Sequence, residues 1–593
     1  MMKSKLSRNN FFREFLYTCI ILMISFSTSF ATTPFHVFFQ QKIPMRDGVN
    51  LSADLYLQTT MTSTKPALFV ITPYTTDGVF ATAAYFAKNG YNVVVVDCRG
   101  RGNSEGEFVP FDHDGKDGYD VCKWIASQPW CNGKIGMFGG SYLGMVQWLT
   151  VKEKPEALKT IIPIASVGPG IDFPKLNNIF YSYNTEWLTF TYGKTGNPNA
   201  FTDVDYWNDI FATMFIKHAP YSNMDVISGI KSEVFKNWLK HPAYDDYYKS
   251  IQLGKDDYEN INIPVLVITG HFDDDQPGTM NYYRNYMQYR KEEAKNQCYI
   301  VIGPWDHGGT RRPSLTLGNL TFNENSKIDI LKLQLDWFNH TLNNAPLPEF
   351  LKNKASVYEM GSDVWQYASQ LPELSPKVQK LYLHSSGNKA TDVYNSGELS
   401  ANAPEEEGQD SFIYNPLDTT YSSQKIQNAM INYAWREAAE AFYPDKLVYH
   451  SKPLTADMSF TGFLKFTAYI SMDVPDTDLE AILYEIQPDG KCIYLTSSIM
   501  RARYRNSLEK EELVKPGEIN EYVFNTFHYT SRVLKKGSRL RLVFGTLNSP
   551  YFQLNYNSGK DVSFETARDT RTANIKLYHD AKHPTYIEVP GKE

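Results

Sequence analysis

The sequence predicts an α/β domain with a largely parallel sheet, interrupted by a helical insertion and followed by an all-β domain. Up to about residue 167, apolar runs typical of buried strands alternate with helical stretches. Between residues 168 and 260 the pattern is helical and lacks such runs. From about residue 351 short strand-like segments separated by turns dominate. A chain of 593 residues is long enough for this two- or three-domain arrangement.

The first segment contains the strands expected of a sheet covered on both faces. Residues 67–71 and 91–97 are almost continuously apolar, which is typical of strands buried on both sides. A helical pattern lies between them and ends at Gly90, a residue that suits a helix C-terminus. The remaining predicted elements are a half-exposed strand at 51–57, strands at 134–138 and 158–165, and a helix that starts at residue 142.

The same sheet is expected to resume after the insertion. Residues 168–260 are rich in aromatic residues and asparagine, and we interpret them as an inserted helical cap. Strand-like runs return at 264–269 and 298–302, and a helix at 329–342 closes this part. The α/β domain is therefore assigned to residues 34–167 and 261–350.

Residues 351–593 are assigned to an all-β domain. Turns such as Pro488-Asp-Gly490 separate its strand-like segments, and helical stretches are scarce. This pattern predicts a β-sandwich, for which a jelly roll is one option. The predicted strands include residues 378–384, 463–472, 480–485, 521–527 and 539–544.

The N-terminus has the features of an export signal. A basic start, an apolar stretch at 15–26 and the small-residue site Ser29-Phe-Ala31 predict a signal peptide at residues 1–31. A retained N-terminal anchor is the alternative. No later segment has the apolar length of a membrane span. The mature chain is therefore expected to be secreted or periplasmic. The full 593-residue sequence has a formal charge of −7, which gives no indication of a nucleic-acid partner.

The cysteines do not form a recognisable framework. Six are present, and no pair or cluster has the spacing of a zinc site. Cys122 and Cys131 flank a short helix and could pair in an oxidising compartment, so their state is left open. Cys98, beside an apolar run, is expected to be a buried thiol.

The segment Gly139-Gly-Ser-Tyr-Leu-Gly144 has the features of a nucleophile elbow. It follows a buried strand and opens a helix, so that Ser141 would stand exposed on a sharp turn. The second glycine of the usual G-x-S-x-G pattern comes one residue late, at Gly144, with Leu143 in its place. An ordinary glycine-rich turn between strand and helix is the alternative.

Two later residues can complete a catalytic triad with Ser141. Asp273 follows the predicted strand at 264–269, and His307 follows the strand at 298–302. Residues at the carboxyl ends of parallel strands face one crevice, so these three side chains can meet. The chain order serine, acid, histidine is the order found in hydrolases whose serine stands on a nucleophile elbow. His307 would accept the proton of Ser141, and Asp273 would orient the imidazole.

The chain contains several longer motifs, which are Asp97-Cys-Arg-Gly-Arg-Gly-Asn-Ser-Glu-Gly-Glu-Phe108, Asp117-Gly-Tyr-Asp120, Trp130 to Tyr142, Gly303-Pro-Trp-Asp-His307, Arg501-Ala-Arg-Tyr-Arg-Asn-Ser507, Pro516-Gly-Glu518 and Lys536 to Leu542. Together these motifs resemble the family of X-prolyl dipeptidyl-peptidases and cocaine-esterase-like hydrolases, which includes α-amino acid ester hydrolases and glutaryl acylases. They extend over nearly all of the chain after residue 31. The resemblance implies an α/β-hydrolase domain, a helical cap and a C-terminal jelly roll. It also implies an oxyanion hole made by the backbone N–H of Tyr142 and the hydroxyl of Tyr74.

In the α-amino acid ester hydrolases of this family, a cluster of carboxylates beside the triad acid holds the substrate ammonium. The resemblance allows the corresponding positions of this chain to be compared with that cluster. Asp275 matches one member of this cluster by position. Gln276 stands where a second carboxylate is expected, and Asn177 and Asn178 carry amides where the third is expected. This eroded cluster predicts only a weak preference for an α-amino ester. Neither the run Asp273-Asp-Asp275 nor Asp112-His-Asp114 has the ligand spacing of a metal site, and no metal or cofactor is expected.

The sequence is therefore interpreted as that of a serine hydrolase that cleaves esters, amides or short peptides through an acyl-enzyme. A proline-specific dipeptidyl-peptidase is the alternative within enzymes. A jelly-roll binding protein that has lost catalysis is the alternative from another class. Homo-oligomerisation is left open.

Overall fold

The computed structural model describes residues 34–59, 63–291, 297–386, 389–405, 408–420 and 443–592. The predicted signal peptide lies outside these residues. Within them, no helix combines the length and the apolar character needed to cross a bilayer.

A ten-stranded sheet organises the first half of the chain, with the strand order β1-β2-β4-β3-β5-β6-β9-β10-β13-β14. The central strands run parallel, whereas β1, β2 and β14 are antiparallel to their neighbours at the two edges. Every residue of β4 is buried, as its apolar sequence predicts. The strands are β1 (Phe35–Pro44), β2 (Asn50–Gln58), β3 (Lys65–Thr72), β4 (Asn92–Asp97), β5 (Cys131–Ser141), β6 (Leu158–Ser166), β9 (Val265–Phe272), β10 (Cys298–Asp306), β13 (Ala355–Glu359) and β14 (Val364–Ala368).

In the described part of the chain, five α-helices accompany this sheet. The first ends where the sequence predicts, since Gly90 has a φ of 95° and so takes the left-handed backbone that glycine accepts without strain. These helices are α1 (Phe80–Lys88), α2 (Asp114–Ala126), α3 (Tyr142–Lys152), α11 (Gln276–Tyr289) and α12 (Ile330–Asn343).

The inserted segment is helical, with one exception. It contains a small hairpin, made of β7 (Lys175–Leu176) and β8 (Ile179–Phe180), that the sequence pattern does not predict because each strand has two residues. Its helices are α4 (Tyr183–Phe190), α5 (Pro198–Phe201), α6 (Val204–Ile216), α7 (Met224–Ile227), α8 (Glu233–Leu239), α9 (Asp246–Ile251) and α10 (Lys255–Asn260). After this insertion the chain returns to the sheet at β9.

The last part of the chain is all-β, and the predicted fold class is confirmed. Among the described residues of this part, thirteen strands form one hydrogen-bonded system around an apolar core that includes Phe466, Phe524 and Phe544. A short hairpin of β11 (Thr316–Leu317) and β12 (Leu320–Thr321) precedes it. The thirteen strands are β15 (Lys377–His384), β16 (Gly397–Ser400), β17 (Gln409–Tyr414), β18 (Lys446–Ser451), β19 (Met458–Gly462), β20 (Lys465–Met472), β21 (Asp478–Ile486), β22 (Cys492–Arg501), β23 (Asn520–Phe524), β24 (Thr530–Leu534), β25 (Arg539–Thr546), β26 (Ala573–Tyr578) and β27 (Tyr586–Lys592).

The structure differs from the expected domain boundary at residue 350. β13 and β14 lie beyond that residue, yet they extend the first sheet, because β13 pairs in parallel with β10. The sequence pattern identifies strands here but does not indicate which sheet they join. Cys122 and Cys131, whose pairing was left open, are both buried and unpaired, and Cys98 is a buried thiol as expected.

The all-β domain packs against both the sheet and the cap. Arg501 forms a two-point ion pair with Asp478, with both N–O distances at 2.8 Å, and its remaining nitrogen donates to the carbonyl of Asn178 in the cap. A buried apolar cluster joins the same two parts and consists of Leu176, Ile179, Tyr181, Ile499, Leu547 and Phe552. These contacts hold the cap against the all-β domain.

Candidate active site

Ser141 stands on a strained turn between β5 and α3. Its φ of 63° and ψ of −127° lie outside the regions that a non-glycine residue normally occupies. Such a conformation costs on the order of 1–3 kcal/mol and persists only where the surrounding structure enforces it. Here the turn leaves the hydroxyl in a pocket above the sheet, as the nucleophile elbow predicts.

The late glycine of the motif is explained by packing. A Cβ atom on Gly144 would lie 2.6 Å from the hydroxyl oxygen of Ser166 and 2.8 Å from the carbonyl of Ile164, both on β6. Helix α3 therefore lies too close to β6 at residue 144 for a side chain, which explains a glycine one residue later than in the short motif. Gly139 has a φ of 134°, and a Cβ there would lie 2.6 Å from that of Leu143. Both glycines are therefore required by the turn.

Asp273 and His307 meet beyond the ends of β9 and β10. His307 Nδ1 lies 2.8 Å from Asp273 Oδ1, and the hydroxyl of Thr269 donates to the other oxygen at 2.7 Å. Burial opposes ionisation of Asp273, but the hydrogen bond and the charge of His307, together with Thr269, outweigh it and lower the pKa of this carboxyl. Asp273 is therefore suited to orient the imidazole and to stabilise its cation.

Asp275 is a second carboxylate near His307, and it also lies beside Ser141. The hydroxyl of Ser141 donates to Asp275 Oδ2 at 3.3 Å, and His307 Nδ1 lies 3.6 Å from that oxygen. Burial raises the pKa of Asp275 well above its usual value; the charge of His307 opposes the shift, and nearby aspartates add to it. The distances favour Asp273 over Asp275 as the partner of His307.

The predicted oxyanion donors flank Ser141. The amide of Tyr142 is the first of helix α3, so it lies outside the hydrogen-bond ladder of the helix. The hydroxyl of Tyr74, which comes just after β3, also lines the pocket. Burial raises the pKa of Tyr74 to about 12, although a hydrogen bond from Trp187 opposes the shift, so at neutral pH this group is a neutral donor.

The pocket over Ser141 has a volume of about 190 Å³ and lies where the three parts of the chain meet. Aromatic side chains form most of its wall, which suits an apolar acyl group. The sheet domain contributes Tyr74, Ser141, Tyr142, Val167, Asp274, Asp275 and His307, the cap contributes Asp172, Phe173, Tyr181, Tyr183 and Trp187, and the all-β domain contributes Tyr551.

Asp172 is a pocket residue that the sequence analysis missed. The amides of Gly168 and Gly278 donate to its carboxylate at 2.7 and 2.5 Å. Burial raises its pKa to about 8 despite these two amides, and the charge of Asp273 adds to the shift. No motif identifies it, since its place in the pocket depends on the path of the chain into the cap.

Three residues that the sequence analysis assigned to substrate binding lie elsewhere, and their placement is corrected. The amide of Gln276 is bonded to the backbone of Gly270 and Tyr529. The amide of Asn177 donates to the carbonyl of Ile499, and that of Asn178 donates to the carbonyl of Leu508. All three therefore face the all-β domain, where they satisfy buried backbone groups instead of contacting the acyl pocket.

A second serine, histidine and aspartate set lies in the all-β domain but lacks the geometry of a triad. Ser385 Oγ and Asp410 Oδ2 both approach Nε2 of His579, at 3.2 and 3.0 Å. In a triad the acid and the nucleophile contact opposite ring nitrogens. This set is therefore a structural network, to which the Tyr449 hydroxyl also donates at 2.6 Å. Across the described ranges, no group of three or more His, Cys, Asp or Glu side chains is arranged to hold a metal ion.

Comparison with known proteins assigns the family. Residues 47–309 match the model of the X-Pro dipeptidyl-peptidase (S15 family). Residues 349–588 match the model of the X-Pro dipeptidyl-peptidase C-terminal non-catalytic domain. The chain belongs to this family. It is a serine hydrolase, so the interpretation as a binding protein without catalysis is set aside.

The proteins similar to this chain include both esterases and peptidases. A cocaine esterase from Rhodococcus sp. (strain MB1 Bresler) is 28% identical over 585 residues, which covers 92% of this chain and 97% of the esterase. A solved α-amino acid ester hydrolase has a TM-score of 0.80 at 20% identity, covering 96% of this chain and 98% of its own. An aminopeptidase from a marine sediment Thaumarchaeota archaeon has a TM-score of 0.79 at 20% identity, covering 94% and 96%. These two structures share the fold of this chain.

The choice between the two carboxylates beside His307 can be tested by substitution. Asp273→Asn should lower kcat by about 10⁴, because the amide favours the wrong imidazole tautomer. Asp275→Asn should cost far less, since its oxygen lies 3.6 Å from Nδ1. Steady-state kinetics on a p-nitrophenyl ester would measure both. A larger loss for Asp275→Asn would assign the role of triad acid to Asp275 instead.

Proposed function

We propose that this enzyme cleaves esters or amides through an acyl-enzyme on Ser141, with His307 as general base and Asp273 as its orienting acid. The observation that carries the proposal is the hydrogen bond of 2.8 Å between the buried Asp273 and His307, which lines the same pocket as Ser141. The strained elbow and the lowered pKa of Asp273 support it.

In the first half of the reaction, Ser141 Oγ attacks the acyl carbonyl while His307 Nε2 takes its proton. The resting hydroxyl donates to Asp275, so a rotation about its Cα–Cβ bond turns it to the imidazole. The carbonyl oxygen becomes an oxyanion, which the Tyr142 amide and the Tyr74 hydroxyl stabilise. Collapse of this intermediate breaks the bond to the leaving group, which receives the proton from His307.

In the second half, water replaces the leaving group. His307 accepts a proton from the water while its oxygen attacks the acyl carbon, and the same two donors stabilise the second oxyanion. Collapse releases the carboxylic acid and returns the proton to Ser141. Throughout, Asp273 stays ionised, as its lowered pKa requires.

The nucleophile can be tested with a matched serine control. Ser141→Ala should abolish labelling by a fluorophosphonate probe and lower kcat by about 10⁶. Ser385→Ala, in the set around His579, should label and turn over like the unmodified enzyme. Retention of more than a few per cent of activity in Ser141→Ala would contradict the assignment. A panel of p-nitrophenyl esters, β-lactams and X-Pro-anilides would then separate esterase, acylase and dipeptidyl-peptidase activity.

An acyl group that carries a positive charge is a second candidate substrate. Asp172, Asp274 and Asp275 line one pocket, and burial raises the pKa of Asp172 and of Asp275. A cation placed among them would favour their ionised forms and be paired in turn. The sequence analysis expected a weak preference for an α-amino ester because it found only Asp275, and Asp172 revises that expectation.

The preference for a cationic acyl group can be measured directly. Phenylglycine methyl ester should exceed phenylacetic acid methyl ester in kcat/KM by more than about tenfold, or roughly 1.4 kcal/mol. Asp275→Asn should reduce this ratio while changing kcat/KM for the neutral ester much less. Equal kcat/KM for the two esters in the unmodified enzyme would show that the carboxylates do not select a cation.

We also propose that the chain is exported before it acts, as a secreted or periplasmic enzyme. The basic and apolar pattern of residues 1–31, which ends in Ser29-Phe-Ala31, supports this proposal. Expression of the full chain in a bacterial host should give a mature protein that begins at residue 32 and accumulates outside the cytoplasm. N-terminal sequencing of the fractionated protein would measure this. An intact N-terminus in a membrane fraction would indicate a retained anchor.

A further inference from the structure

Helix α4 of the cap contacts Tyr74 at two positions. The indole Nε1 of Trp187 donates to the Tyr74 hydroxyl at 3.0 Å. Three residues later, the ring of Phe190 stacks on that of Tyr74 with 4.9 Å between centroids and 14° between planes. Tyr74 belongs to the sheet domain, so its side chain is held by a helix from a different part of the fold.

The direction of the hydrogen bond from Trp187 determines where the Tyr74 proton points. An indole N–H can only donate, and a phenol has a single proton. Since Trp187 occupies a lone pair of the Tyr74 oxygen, that proton is directed away from the indole. Tyr74 and Ser141 line the same pocket. The hydrogen bond from Trp187 also lowers the pKa of Tyr74 against the effect of burial, which makes the hydroxyl a stronger donor.

The same indole packs on the residue that supplies the other oxyanion donor. The rings of Trp187 and Tyr142 are stacked, with 5.7 Å between centroids and 23° between planes. The Tyr142 side chain is also held at its other end, because its hydroxyl donates to Asp114 at 2.6 Å. Trp187 therefore contacts both residues that flank the position of the developing charge.

A buried arginine anchors the end of α4 to the segment after β3 that contains Tyr74. Arg101 is fully buried and donates to the carbonyl of Pro73 at 2.7 Å. Its other nitrogens donate to carbonyls just after α4, those of Thr191, Gly193 and Thr195. The guanidinium thus ties the residue before Tyr74 to the segment after Phe190, which keeps Trp187 in register with the hydroxyl.

We propose that Trp187 is a positioning residue that directs the Tyr74 hydroxyl toward the oxyanion, so that the cap helps to form the oxyanion hole. The inference rests on the proposed function, in which Tyr74 is an oxyanion donor. Trp187 acts through Tyr74 and takes no part in proton transfer. Its contribution should therefore vanish once the hydroxyl of Tyr74 is removed.

A double-mutant cycle tests this coupling on the full enzyme with a p-nitrophenyl ester. Trp187→Phe keeps an aromatic ring but removes the donor, and it should lower kcat by about 3–10-fold with little change in KM. Tyr74→Phe should lower kcat by about 10²–10³. The double variant should match Tyr74→Phe within about twofold, because the hydrogen bond no longer has a catalytic group to orient.

Trp238→Phe is the matched control. Trp238 is buried in the same aromatic cluster, with its ring 6.4 Å from that of Trp187, but it lies outside the pocket. It should keep kcat within about twofold of the unmodified enzyme. A kcat loss in Trp238→Phe equal to that in Trp187→Phe would overturn the proposal, because the effect would then follow from general loosening of the cluster.

Other results would distinguish failure of the positioning role of Trp187 from failure of the oxyanion role of Tyr74. If Trp187→Phe lowers kcat by the same factor with and without the Tyr74 hydroxyl, the positioning role is overturned while Tyr74 remains an oxyanion donor. An unchanged kcat in Trp187→Phe leads to the same conclusion. If Tyr74→Phe retains full kcat, both the oxyanion role of Tyr74 and the inference fail, whereas labelling of Ser141 still tests the nucleophile independently.

Discussion

The backbone conformation of Ser141 is the constraint on which the site depends. A positive φ at the end of β5 turns the chain so sharply that the serine hydroxyl leaves the sheet while the next amide starts a helix. One residue therefore sets both the proposed nucleophile and the first proposed oxyanion donor. The proposed acid and base, Asp273 and His307, come from the ends of β9 and β10, which lie two and three strands away along the same edge. The local strain persists because Gly139 and Gly144 allow helix and strands to pack around the turn.

Buried cations bonded to carbonyl groups join the cap to the sheet domain and hold segments of the cap together. Arg101 donates to carbonyls of the sheet domain and of the cap, and Lys175 Nζ donates to the carbonyls of residues 241, 242 and 243 at 2.7–3.0 Å. Burial lowers the pKa of both groups. Because their hydrogen bonds go to backbone carbonyls, these cations draw loops together without using the pocket carboxylates as partners. Neither cation is hydrogen-bonded to an aspartate of the pocket, and Asp275 lies beside His307.

The fold and the centre of the site could be predicted from sequence because their signals are local. Long apolar runs identify the parallel strands, and strand ends identify where Ser141, Asp273 and His307 lie. The direction of a side chain at the start of a helix depends on how that helix packs, so a local sequence pattern does not predict it. Asp275 precedes helix α11 and faces the pocket, whereas the adjacent Gln276 is its first residue and faces the all-β domain. Asp172 escaped notice for a related reason, since its position follows from how the chain enters the cap.

The all-β domain matches a model described as non-catalytic, yet it completes the wall of the acyl pocket. Tyr551 lines that pocket, and its carbonyl accepts a hydrogen bond from the amide of Ser182 at 2.7 Å. Residues more than four hundred positions from Ser141 thus shape the space that receives the substrate. Changes in acyl selectivity during evolution could therefore arise in loops of this domain while the elbow, the acid and the base stay unchanged. An engineered enzyme shortened to the sheet and cap would lose part of its substrate pocket along with its packing partner.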